Sequence, residues 1–178
     1  MNRAKELISR LSDIDENANL YAVADAAIYR ELADLLEIYN PHHRILFKDA
    51  FVEAYGSVAP YLIELNEDDP FLQELVAEGF GKTWLSFLLS RCDIDTLANR
   101  LKEYINPYSQ EHKQEVILRF YDPRNIERYF AMQSQEELAT FFNEIEGKIC
   151  SVDLKEPTIL YLYDGATKRI LSLKGDKI

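Results

Sequence analysis

Four helix-start signals, three of them behind a short apolar run, do most to limit what this chain can fold into. Asp69 stands before Pro70, Asp93 before Ile94, Asp122 before Pro123, and Ser134 three residues ahead of Glu137. An Asp or Ser at such a place accepts from the free amides of the first turn. A proline just inside has its φ preset for a helix, and Ser with Glu three residues later forms a capping box. Apolar residues follow at helical spacing: Phe71, Leu72, Leu75 and Val76; Ile94, Leu97, Leu101 and Tyr104; Ile126, Tyr129 and Phe130; Leu138, Phe141, Phe142 and Ile145. The runs between them are short enough for strands: Pro60 to Leu65, Thr83 to Leu89, and Glu115 to Tyr121, the clearest of the three.

The flanks extend the alternation. Residues 3 to 12 read as a helix with Leu7, Ile8 and Leu11 on one face, and Leu20 to Ala24 as a strand. A helix carrying Ile28, Leu32, Leu35, Leu36 and Tyr39 then stops before Asn40-Pro41, because the residue ahead of proline avoids the α region. Asn106-Pro107 ends the helix of Ile94 in the same way. From Lys148 the apolar period becomes two. Thr158 to Tyr163, Asp164-Gly165 and Lys168 to Leu173 read as a β-hairpin whose turn needs positive φ. The expectation is one α/β (α+β) domain over residues 1–178: a mixed β-sheet with packed helices and a C-terminal β-hairpin.

Charge narrows the partners. The chain has 178 residues, with 20 Lys plus Arg against 31 Asp plus Glu, for a net charge of -11. Such a surface repels phosphate backbones and anionic lipids. The one modest basic cluster is Lys168, Arg169, Lys174 and Lys177. A protein partner is expected, with no nucleic acid and no membrane insertion. No apolar run approaches the ~20 residues that span a bilayer, and the first residues carry no signal-peptide core, so the expected location is the cytoplasm. Cys92 and Cys150 lack Cys-x-x-Cys spacing and read as buried thiols.

Candidate chemistry is sparse. Asp25, Ser90 and Asp122 fall at expected strand ends, where ligands bind in open parallel sheets. Arg119 and Arg124 flank Asp122, and a carboxylate beside two guanidiniums can orient a substrate. Against this, Asp before Pro is the pattern of a cap, and Asp25 reads as a cap or a buried polar group as readily as a site. His42, His43 and His112 have no metal spacing. Asp13, Asp15 and Asn17 alternate like calcium-loop ligands, but Ala18 occupies the glycine position. Gly81-Lys82-Thr83 is similar to the end of a phosphate loop, but Val76 replaces the upstream glycine and the segment follows a helix. No metal or cofactor is expected.

Several segments in order carry a family resemblance: Tyr21 to Ala27, Leu46-Phe47, Ala59-Pro60-Tyr61-Leu62, Gly81 to Phe87 with Trp84, Leu97 to Leu101, and Leu118-Arg119-Phe120-Tyr121-Asp122-Pro123-Arg124. Together, over roughly residues 18 to 145, they resemble the type VI secretion adaptor family, effector chaperones whose domain is catalogued as one of unknown function. The last segment is the most specific. Two positions depart from the family: Ala59 replaces a glycine, and Leu85 follows Trp84 where a glycine is usual. The hairpin, an extension over about 150–174, lies outside the resemblance.

The resemblance implies a bacterial cytoplasmic carrier, not an enzyme, that binds a toxin effector and loads it onto the secretion spike (valine-glycine repeat protein G). Tyr21, Asp25, Pro60, Tyr61, Trp84, Arg119, Tyr121, Asp122 and Arg124 are then its binding or structural motif. Tyr161 and Tyr163, on one face of the hairpin, either meet a partner or complete the domain's own sheet. Two other readings stand beside it: a small hydrolase or transferase using Asp25, Asp122 and Arg124, and an immunity protein that neutralises a toxin.

Overall fold

The computed structural model describes residues 3–66, 69–165 and 167–172. In chain order the elements are α1 (Arg3–Ser12), β1 (Asn19–Asp25), α2 (Leu32–Tyr39), β2 (His43–Ile45), α3 (Asp49–Tyr55), β3 (Pro60–Glu64), α4 (Pro70–Gly79), β4 (Leu85–Ser90) and α5 (Ile94–Ile105). There follow β5 (Tyr108–Ser109), β6 (Gln114–Glu115), α6 (Ile126–Ala131), α7 (Gln135–Ile145), β7 (Gly147–Val152), β8 (Ile159–Asp164) and β9 (Thr167–Ser172), with a 3-10 turn at Gly56–Val58. Seven strands form one sheet in the order β2-β3-β1-β4-β7-β8-β9, and β5 and β6 form a separate ribbon. The α+β expectation holds, and every ladder is antiparallel. The carboxyl-end rule for parallel sheets therefore gives no guidance to a site.

Both sheet faces are covered, which is why the central strands read as continuous apolar runs. Leu20, Ala22 and Ala24 of β1 point to one side, with Ile63, Phe87, Leu89 and Leu162, and meet α1, α2 and α4 through Leu7, Leu11, Leu32, Leu72 and Leu75. Tyr21 and Val23 point to the other, with Leu62, Leu88 and Ile149, and meet α5, α6 and α7 through Leu97, Leu101, Ile126, Phe141 and Ile145. The result is three layers, helix–sheet–helix.

The local start signals act as read. Asp69 accepts from the Phe71 amide at 2.8 Å, Asp93 from the Thr96 amide at 2.9 Å, and Ser134 with Glu137 closes both arms of its capping box. The turn after β8 has Gly165 at φ 60 and pairs Asp164 with Thr167. β7 lies so close to β4 that a Cβ on Gly147 would stand 1.9 Å from the Leu89 carbonyl oxygen. Cys92 and Cys150 are buried free thiols.

Several expectations are corrected. Ile28 lies in the turn after β1, because Asp25 accepts from the Ile28 and Tyr29 amides and α2 begins only at Leu32. β4 begins at Leu85, not Thr83. Asp122 opens a turn, not a helix: its carbonyl accepts from Asn125 and Ile126, and α6 starts at Ile126. The expected strand Glu115 to Tyr121 is reduced to Gln114–Glu115. Val116 and Leu118 donate to the carbonyls of Pro107 and Ile105, at 3.1 and 2.8 Å, so the chain continues an antiparallel course. Among the described residues nothing comes back, since Pro107 has no N–H, Ile105 is the last residue of α5, and the Asn106 amide donates to the Lys102 carbonyl. β2 and α3 have no counterpart among the expected elements. Leu173, Lys174 and Lys177 lie outside the described residues.

Candidate functional site

Two Asx turns build the centre of the motif. At the end of β1, Asp25 Oδ1 accepts from the Ala27 amide at 2.9 Å; after the Val116–Arg119 segment, Asp122 Oδ1 accepts from the Arg124 amide at 2.9 Å. Both carboxylates are buried, with 1% exposure each. A buried carboxylate must be paired and hydrogen-bonded, and each is. Asp25 Oδ2 accepts from the Tyr121 hydroxyl at 3.2 Å and lies 3.5 Å from Arg119 Nη1. Asp122 takes the Arg124 guanidinium as a fork, with Nη2 to Oδ2 at 2.6 Å and Nε to Oδ1 at 3.0 Å.

The charges are coupled. Burial, reinforced by the Asp25 charge, pushes the Tyr121 phenol well above its ordinary range, so it is a fixed donor. The Asp122 hydrogen bond and charge raise Arg124 further, with a smaller contribution from Asp25. The set is one network of two acids, two guanidiniums and one phenol. Its acidic oxygens are occupied by internal donors, and its guanidiniums reach the surface.

Other motif residues frame it. Pro60 pairs with Asp25 across β3 and β1, and the Trp84 carbonyl accepts from the Asp25 amide at 2.9 Å. The Trp84 ring turns to the α2–α4 side and stacks on Tyr29 at 4.3 Å. Tyr61 faces that same side, and its hydroxyl donates to the Gly56 carbonyl. Tyr21 points the opposite way and donates to the Cys92 carbonyl at 2.8 Å, away from Asp25; burial pushes its phenol up to about 12. The structure therefore gathers Asp25, Pro60, Arg119, Tyr121, Asp122 and Arg124, and leaves Tyr21 and the rings of Tyr61 and Trp84 outside.

The hairpin tyrosines are also apart from it. β8 pairs with β7 on one side and β9 on the other, so Tyr163 is core and packs on Phe130 at 5.5 Å. Tyr161 is half-buried; its hydroxyl donates to Asp153, and Lys168 Nζ lies 4.2 Å from its ring centre.

Next to the network runs an open groove of about 370 Å3, lined by Leu118, Arg119, Phe120, Arg128, Tyr129 and Met132 among others. Met132 is 72% exposed and Leu118 37%. Sequence reasoning did not single out Arg128 or Met132. One signal was present: Met132 falls off the helical face set by Ile126 and Phe130, so it has no place in the core.

Residues 20–140 match the family model described as a domain of unknown function (DUF4123). No curated protein and no solved structure matches the chain. The match covers more than half of the sequence and spans the whole Asp25–Arg124 network, so the chain belongs to the DUF4123 domain family.

Proposed function

We propose that this chain is a type VI secretion adaptor that captures a toxin effector and delivers it to the spike protein. The observation that carries the reading is the pairing of a self-satisfied network with an open surface. Asp25 and Asp122 have their oxygens engaged by Ala27, Tyr121, Arg119 and Arg124. Such an arrangement fixes the shape of the surface around it and leaves its carboxylate oxygens engaged by internal donors. Beside it lies an apolar groove rimmed by Arg119 and Arg128, the composition of an interface hot spot. Family membership supports the same reading, since these domains occur in type VI effector-associated gene contexts. The hydrolase or transferase alternative has less support, because Asp122 and Arg124 are closed on each other.

The test is purification of the tagged chain from cells expressing the secretion genes, followed by mass spectrometry. Recovery of a large effector together with the spike protein is expected. A clean monomer, or specific thermal stabilisation by a phosphate ester or nucleotide, would overturn the reading.

A further inference from the structure

Beyond β6, the Val116–Arg119 segment is not a strand, but it runs alongside Ile105–Pro107 as a strand would and is bonded on that one edge. Its sequence is strand-forming, with Val116, Ile117, Leu118, Phe120 and Tyr121 in close succession. Its inner edge is held, since the amides of Val116 and Leu118, two residues apart, donate to Pro107 and Ile105. Alternate amides bonded to one side mean that those of Ile117 and Arg119 face the other. Among the described residues neither of these amides has a partner, nor does the Ile117 carbonyl. Ile117 is 41% exposed. The groove lies alongside, bounded by Leu118, Phe120 and the exposed face of α6.

The geometry points to strand addition: we propose that the outer edge of Val116–Arg119 takes an extended segment of a partner protein, with apolar side chains for the groove and a carboxylate for Arg128. The proposal rests on the reading that this chain works by capturing another protein, and it says where and how. Free backbone groups select an extended occupant, because a helix has no amides or carbonyls to offer along its length. Charge selects an acidic one. The groove lining holds Arg119 and Arg128 and no Asp or Glu, in a chain of net charge -11. Arg119 already faces Asp25, whereas Arg128 makes no ion pair among the described residues. A segment bearing carboxylates is repelled by most of this surface and drawn to this part of it.

The experiment screens a displayed library of random peptides, each about a dozen residues long, against the full chain, then titrates a synthetic copy of the enriched sequence. The expected winners alternate apolar residues with Asp or Glu. Ile117→Pro removes one of the two outward amides that have no partner among the described residues. It should keep the fold, since an extended backbone accommodates the proline φ and also suits the residue before it. It is expected to weaken peptide binding by about tenfold or more, as is Arg128→Glu. Amide exchange at Ile117 should be fast in the free chain and slow with peptide bound.

An enriched set without acidic–apolar alternation would overturn the proposal. Unchanged affinity in Arg128→Glu, or an Ile117 amide still unprotected in the complex, would do the same. These outcomes are separate from the fate of the secretion reading. If Ile117→Pro recovers effector and spike at full yield, this site falls and the adaptor stands. If the peptides bind as described but neither protein is recovered from cells, only the adaptor falls.

Discussion

Replacing Asp25 by Ala asks whether the buried carboxylate anchors the fold. The side chain accepts from the Ala27 amide at 2.9 Å and the Tyr121 hydroxyl at 3.2 Å, and faces Arg119 at 3.5 Å. Alanine offers no acceptor. Tyr121 is 2% exposed, so its hydroxyl cannot turn to water, and the Ala27 amide is only partly accessible. A buried donor left alone costs about 1–3 kcal/mol, so the two together cost about 2–6 kcal/mol. Arg119, 40% exposed, is rehydrated and adds little. That loss is a large part of the roughly 5–15 kcal/mol that holds a domain together. Tyr121→Phe alone removes one of the donors and should cost about 1–2 kcal/mol. In the Asp25→Ala background the same change deletes a hydroxyl that is already orphaned, and should cost nothing or stabilise. A double-mutant cycle in urea, followed by the fluorescence of the single tryptophan, Trp84, should therefore give a coupling of about 1–2 kcal/mol. Costs that simply add, within about 0.5 kcal/mol, would refute the network as a cooperative unit.

Three further outcomes follow from the same geometry. Gly147→Ala drives a Cβ into the Leu89 backbone, and should lower stability by about 2–4 kcal/mol; a thermal midpoint equal to that of the parent would contradict the close approach. Asp122→Ala frees the Arg124 amide and breaks a pair whose guanidinium is largely in solvent, so the cost should be about 1–2 kcal/mol by urea midpoint. If binding is lost with the midpoint unchanged, Asp122 is a contact residue instead. Burial pushes the phenols of Tyr21 and Tyr163 and the thiol of Cys150 up to about 12. In the unfolded chain these groups ionise near their ordinary values of about 8.5 to 10, so the stability they confer is complete below about pH 8 and falls away as pH rises toward 12. A urea midpoint that stays flat across that alkaline window would refute this.

The parts legible in the sequence were the local ones. Asp69, Asp93 and Ser134 mark helix starts because a cap and its amides lie within three residues of each other. The core faces of α4, α5 and α7 followed from spacing alone. What failed depended on partners distant in sequence. Glu115 to Tyr121 has strand composition, but a strand needs a neighbour that can return its bonds, and Ile105–Pro107 cannot. Asp25 and Tyr121 lie 96 positions apart, so no pattern could pair them; the family-like motif brought both to notice but not their contact. Asp122 was read as a helix cap and instead closes a turn ahead of α6, because Pro after Asp is common to both.

The strand order also bears on how the chain is made. β1 is interior, and β4, its neighbour, stays bare on its far side until β7 arrives. On a ribosome, Phe87 to Ser90 emerges roughly sixty residues before the strand that covers it, an interval of about 3–12 s at ordinary elongation rates. During that interval an apolar edge is open to any neighbouring chain. The family model, ending at residue 140, stops short of β7, β8 and β9. A fragment cut at that boundary would keep the recognisable signature and lose the cover of its own sheet, so it should be produced as aggregate, not as a smaller working protein.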